Sequence, residues 1–234
     1  MTKKFFLLDT NVIVDFYTGD PRIKKVFTEL RKGGQRGEYL IFIPNFCIGE
    51  VFSVLASKCY YEERVNEKIT EDKFKKAKWD FIDDVSRDDE YKRLQLYYHV
   101  ELNRYHLFNA HLVYQPAWEF LKKEHAARRL LKKDGNKKFP STFDLLVIAQ
   151  GIEMTNLYSD RDFAILTSDE AILAICEHLQ NLKHADKVSF LKRQGSDKNT
   201  WSAPEFFQNL RSFKYPKSIN AKDYNSFNQF CKQK

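Results

Sequence analysis

Four acidic residues stand out by type and by place: Asp9, Glu50, Asp144 and Asp169. Asp9 ends the apolar run Phe5-Phe6-Leu7-Leu8, and Asp169 follows Ala164-Ile165-Leu166-Thr167-Ser168. Asp144 opens the apolar stretch Leu145 to Ala149, and Glu50 lies among Phe46, Ile48, Val51 and Phe52. Carboxylates crowded together repel, which raises pKa or costs stability unless a cation compensates. Hard oxygen ligands suit Mg²⁺ or Mn²⁺, which keep several waters. Such an ion makes a nucleophile of a bound water and stabilises charge on a phosphodiester, and two ions clamp both attacking and leaving oxygens. Each acid also has a plainer reading. Asp9 and Asp169 suit helix N-caps, and Asp144 suits the acid of a capping box with Ser141, since carboxylates are favourable at helix starts. Glu50 lies too deep in its helix to cap it, so it calls for solvent or a counter-charge.

The elements that must position these acids are legible as alternating strands and helices. Phe5–Leu8 reads as a strand buried on both faces, with a packed helix starting at Val12. Leu40–Ile43 reads as a second strand closed by Pro44, with Asn45 capping the helix that carries Glu50. Ala164–Thr167 reads as a third, Lys187–Leu191 as a further candidate, and Ser202-Ala203-Pro204 as the start of a closing helix. Asp160 and Asp162 read as turn residues before the third strand. The basic, glycine-rich Arg31–Gly37 reads as a helix stop and turn. Alternation implies parallel pairing with right-handed crossovers, hence an α/β body with helices on both faces. In a parallel sheet every strand-to-helix turn shares one edge, where ligands bind.

Between Lys58 and Phe139 charge density rises and the strand signal fades. Phe74, Ala77, Phe81 and Val85, then Leu94, Tyr98, Leu102, Tyr105, Phe108 and Leu112, recur at helical spacing. This stretch reads as a helical insertion. Its end holds Arg128, Arg129, Lys132 and Lys133, either a solvated helix face or a contact for a nucleic-acid backbone. His99, His106 and His111 are spaced unsuitably for one metal-binding face and read as ordinary core or surface residues.

The 234 residues carry a net charge of +7 and a pI near 9.0, which favours polyanion partners. Only 8 glycines and 6 prolines argue against a chain of many tight β-turns. The four cysteines form no C-x-x-C pair, which disfavours a zinc ribbon or redox motif. No signal peptide or membrane-length apolar run is visible, so the expected location is a reducing cytoplasm with no membrane partner.

Taken together, Leu7-Leu8-Asp9-Thr10-Asn11, the helix with Glu50, Phe143-Asp144-Leu145 to Ala149, and Leu166-Thr167-Ser168-Asp169 resemble a PIN-domain nuclease. The segment Ser202-Ala203-Pro204-Glu205-Phe206-Phe207 is similar to the Pro-Glu-Phe closing segment of small PIN toxins. The resemblance implies a three-layer α/β/α domain over 1–55 and 140–214; the α-helical insertion over 56–139 departs from the compact toxin members, and residues 215–234 read as a C-terminal tail. It implies Asp9, Glu50, Asp144 and Asp169 as ligands of Mg²⁺ or Mn²⁺ or their direct supports, with Asn11 and Thr167 holding the carboxylates. The implied activity is endoribonucleolytic cleavage of single-stranded or structured RNA, a toxin-type ribonuclease included. A small inhibitory protein and a second copy of the chain remain open as partners. The alternative is a catalytically silent PIN-like module that binds RNA or supports assembly.

Overall fold

The structure is a computed structural model that describes residues 3–61, 68–86, 96–103, 106–107, 110, 113–114, 117–123, 140–183, 185 and 214–233. Five parallel strands form one sheet with helices on both faces, a three-layer α/β/α fold. The elements in order are β1 (Lys4–Leu8), α1 (Thr10–Tyr17), α2 (Pro21–Gln35), β2 (Tyr39–Pro44), α3 (Asn45–Tyr60), α4 (Glu71–Val85), β3 (Tyr98–Val100), α5 (Thr142–Leu157), β4 (Asp162–Thr167), α6 (Glu170–Asn181), β5 (Lys217–Asn220) and α7 (Tyr224–Lys232). The strand order is β3-β2-β1-β4-β5, so β1 is central. Its register places Phe5 opposite Leu40 and Leu7 opposite Phe42. Every residue of β1 is buried, as a strand covered on both faces requires.

The chain divides into two compact units, one of residues 1–101, 166–168 and 219–234, the other of 102–165 and 169–218. The first unit packs an aromatic core. Phe6 is fully buried, with ring centroids 5.4 Å from Tyr39 and 5.6 Å from both Phe227 and Phe230. Phe16 stacks on Phe27 at 3.9 Å, and Phe81 lies 5.4 Å from Tyr17. The second unit buries Leu146, Val147, Ile148 and Ile152 of α5 with Ile172, Ile175 and Leu179 of α6. Among the described residues no helix is long and apolar enough to cross a membrane.

Several expectations need correction. The stretch 56–139 is not purely helical: α4 and a helical segment at 117–123 lie in it, but so does β3, which pairs with β2 and places His99 on a strand. Residues 215–233, read as a tail, carry β5 and α7. Ile219 is buried in β5, and α7 is capped by the Asp223 side chain, which accepts from the N–H groups of Asn225 and Ser226. Phe227 and Phe230, spaced by three, put one face of that helix against Phe6. Asp162 begins β4 and is not a turn residue. Asn45 is the first residue of α3, whose cap position is Pro44. The strand candidate 187–191, the segment 202–207, His111, and Arg128, Arg129, Lys132 and Lys133 lie outside the described residues.

Helix α2 also runs through Arg31–Gln35, and the turn comes later, at Gly37 with φ +70°. The Tyr39 ring packs against Gly33, where a Cβ would collide with it. Gly33→Ala should therefore lower stability by about 1–3 kcal/mol through overpacking, measured by urea unfolding, despite alanine's better helix propensity.

Candidate active site

In the first unit, Asp9 follows β1 and its backbone is extended, at φ −80° and ψ 152°. Its N–H donates to the Leu166 carbonyl at 3.1 Å, which fixes the end of β1 against the end of β4. Asp9 occupies the N-cap position of α1, yet its side chain makes no capping hydrogen bond. The carboxylate instead accepts from two side chains, one of them distant in sequence. Thr167 Oγ1 donates to Asp9 Oδ2 at 2.8 Å, and Asn11 Nδ2 donates to the same oxygen at 3.4 Å. Thr167 is completely buried and Asp9 is only 4% exposed. An N-cap aspartate that turns from its own helix start to a hydroxyl 158 residues away has been positioned by the fold.

Glu50 belongs to α3 and is half-buried. Its Oε2 accepts a 2.5 Å hydrogen bond from Thr10 Oγ1, the residue immediately after Asp9. The partner is thus a buried hydroxyl, where the sequence called for solvent or a counter-charge. Cys47, three residues before Glu50, is fully buried. Burial pushes its thiol well above the ordinary value, and the negative charges of Asp9 and Glu50 push it further. That thiol stays protonated near neutrality, which disqualifies it as a nucleophile. Asp15, on α1, is bridged by Lys58 at 3.3 Å and Lys222 at 3.4 Å, tying α1 to α3 and to the turn before α7.

In the second unit, Asp144 forms the capping box read from the sequence. Asp144 N–H donates to Ser141 Oγ at 3.2 Å, and Ser141 N–H donates to Asp144 Oδ2 at 2.6 Å. Asp169 caps α6, its Oδ1 accepting from the N–H groups of Ala171 at 2.6 Å and Ile172 at 3.3 Å. Both carboxylates are half-exposed. His106 is buried. Its Nδ1 accepts from the Asn103 N–H at 3.1 Å while Nε2 meets the Glu153 carboxylate.

The structure therefore assembles Asp9, Asn11 and Thr167 around one oxygen and joins Glu50 to Thr10, and it gives Asp144 and Asp169 capping bonds at their own helices. Among the described residues no group of three or more His, Cys, Asp or Glu is arranged to hold a metal ion. Thr10 escaped sequence reasoning. The available signal was its place between Asp9 and Asn11, but its bond to Glu50 spans 40 residues.

Thr167→Val keeps shape and removes the hydroxyl that fixes Asp9. If Asp9 serves catalysis, the rate should fall about 10–100-fold with substrate affinity little changed, as measured by steady-state kinetics.

Comparison of the chain with protein-family models, with curated proteins and with solved structures finds no match.

Proposed function

We propose that the protein is a metal-dependent endoribonuclease whose carboxylates Asp9, Glu50, Asp144 and Asp169 bind Mg²⁺ or Mn²⁺. The observation that carries this reading is the buried Asp9 at the carboxyl end of the central parallel strand, oriented by Thr167 and Asn11 instead of capping its helix. The donor set suits the ion, being hard oxygens with hydroxyls and an amide behind them. When bound, the ion supplies an activated water and stabilises charge on the phosphodiester. The chain's own residues do the rest. Thr167 and Asn11 hold one oxygen of Asp9 in a fixed direction, Thr10 holds one oxygen of Glu50, and the basic excess of the chain attracts the RNA backbone.

The test is incubation of the full chain with total cellular RNA plus Mn²⁺, against EDTA, followed by mapping of new ends. Discrete Mn²⁺-dependent ends support the reading. RNA left intact across Mn²⁺ and Mg²⁺ concentrations contradicts it and favours a silent binding or assembly module. If the enzyme is the toxic half of a pair, a small protein should silence the cleavage, and cytoplasmic RNA is the substrate such a role requires.

A further inference from the structure

The junction of α3 and α4 in the first unit exposes large aromatic rings that the core does not use. Tyr60, the last residue of α3, is 59% exposed, and Trp79 of α4 is 58% exposed. They belong to one continuous strip. The Tyr60 ring lies edge-on to Phe74 at 5.7 Å, the Lys78 ammonium sits 5.9 Å from the Phe74 centroid, and the same ammonium sits 4.9 Å from Trp79. The order along the surface is ring, ring, cation, ring.

Two lysines of α4 are paired with acids and Lys78 is not. Lys75 pairs with Glu71 at 2.9 Å and Lys76 with Asp80 at 3.0 Å, whereas Lys78 has no carboxylate partner among the described residues. Its positive charge is therefore available to a ligand.

We infer that the strip Tyr60-Phe74-Lys78-Trp79 is a docking platform for single-stranded RNA, on which bases stack and Lys78 meets a phosphate. A single strand alternates base faces with negative charge, and exposed rings interleaved with a cation match that alternation. A duplex hides its base faces and gains little from the rings. The net charge of +7 adds a general attraction for such a strand. Tyr60 lies ten residues beyond Glu50 on α3, about 15 Å along the helix axis. The platform therefore holds the strand away from Glu50 and grips RNA without cutting it. The inference rests on the proposal that RNA is the substrate.

The test is fluorescence anisotropy of a labelled adenosine-rich single-stranded RNA of about twelve nucleotides with the full chain in EDTA, so that binding is read without cleavage. Tyr60→Ala and Trp79→Ala should each raise Kd about tenfold, Trp79→Phe should stay within about threefold of wild type, and a duplex of the same sequence should lose little. Lys78→Ala should flatten the salt dependence of binding. Because Tyr60 and Trp79 are exposed, the variants at those two positions should keep the wild-type melting curve. An unchanged Kd in the Tyr60→Ala, Trp79→Ala double variant overturns the platform, as does failure of the wild type to bind. If Trp79→Ala instead dissolves a self-associated form seen by sedimentation, with RNA affinity unchanged, the strip belongs to a second copy and the inference is overturned. Loss of binding in the double variant of a protein that cuts nothing in Mn²⁺ would support the platform while contradicting the nuclease.

Discussion

Replacing Asp9 with asparagine should reduce Mn²⁺-dependent RNA cleavage by about a thousandfold or more while leaving the chain folded. The two halves of that expectation have separate causes. The amide oxygen of asparagine can still accept from Thr167, so the 2.8 Å contact that orients position 9 survives the change. The backbone bond from position 9 to Leu166 is untouched. The melting temperature should therefore stay within about 4 °C of wild type, the shift that ~1 kcal/mol produces in a chain of this size. What the variant lacks is the negative charge a divalent ion requires. A folded Asp9→Asn protein that cuts RNA at the wild-type rate would remove Asp9 from the chemistry.

Deleting residues 217–234 should unfold the first unit. The deletion removes a strand of the sheet and the helix that covers Phe6. It also removes the buried rings of Phe227 and Phe230, the N–H of Ala221 that bonds the Thr167 carbonyl at 2.8 Å, and Lys222 from Asp15. Losing one buried phenylalanine side chain typically costs about 3–5 kcal/mol. Two such losses equal much of the ~5–15 kcal/mol that holds a domain folded. Circular dichroism should show a non-cooperative melt, and limited proteolysis should cut at β1. A truncated chain that melts cooperatively near the wild-type temperature would return this segment to the status of a tail.

The contrast between what the sequence reveals and what it hides follows from how far each signal reaches. β1, β2 and β4 are legible because strands buried on both faces are continuous apolar runs. β5 carries one buried residue, Ile219, between polar neighbours, and β3 is three residues long and partly exposed. Neither offers a run, and the Tyr98 spacing mimics a helix. The signal for α7 was present in Asp223 and in the Phe227–Phe230 pair, but a helix without a visible strand before it reads as an appendage. At the candidate site, Ser141 with Asp144 is a local pattern and was legible. Asp9 was ambiguous between cap and functional carboxylate because the deciding group, Thr167, is 158 residues away. The bond from Thr10 to Glu50 was invisible for the same reason.

The most direct test is calorimetric titration of Mn²⁺ into the metal-free wild type and into Asp9→Asn and Asp144→Asn. Saturable binding by the wild type that both substitutions abolish or weaken at least about tenfold is the predicted result. Wild-type heats retained in both variants, or no binding by the wild type at all, would contradict a carboxylate metal centre built on these residues.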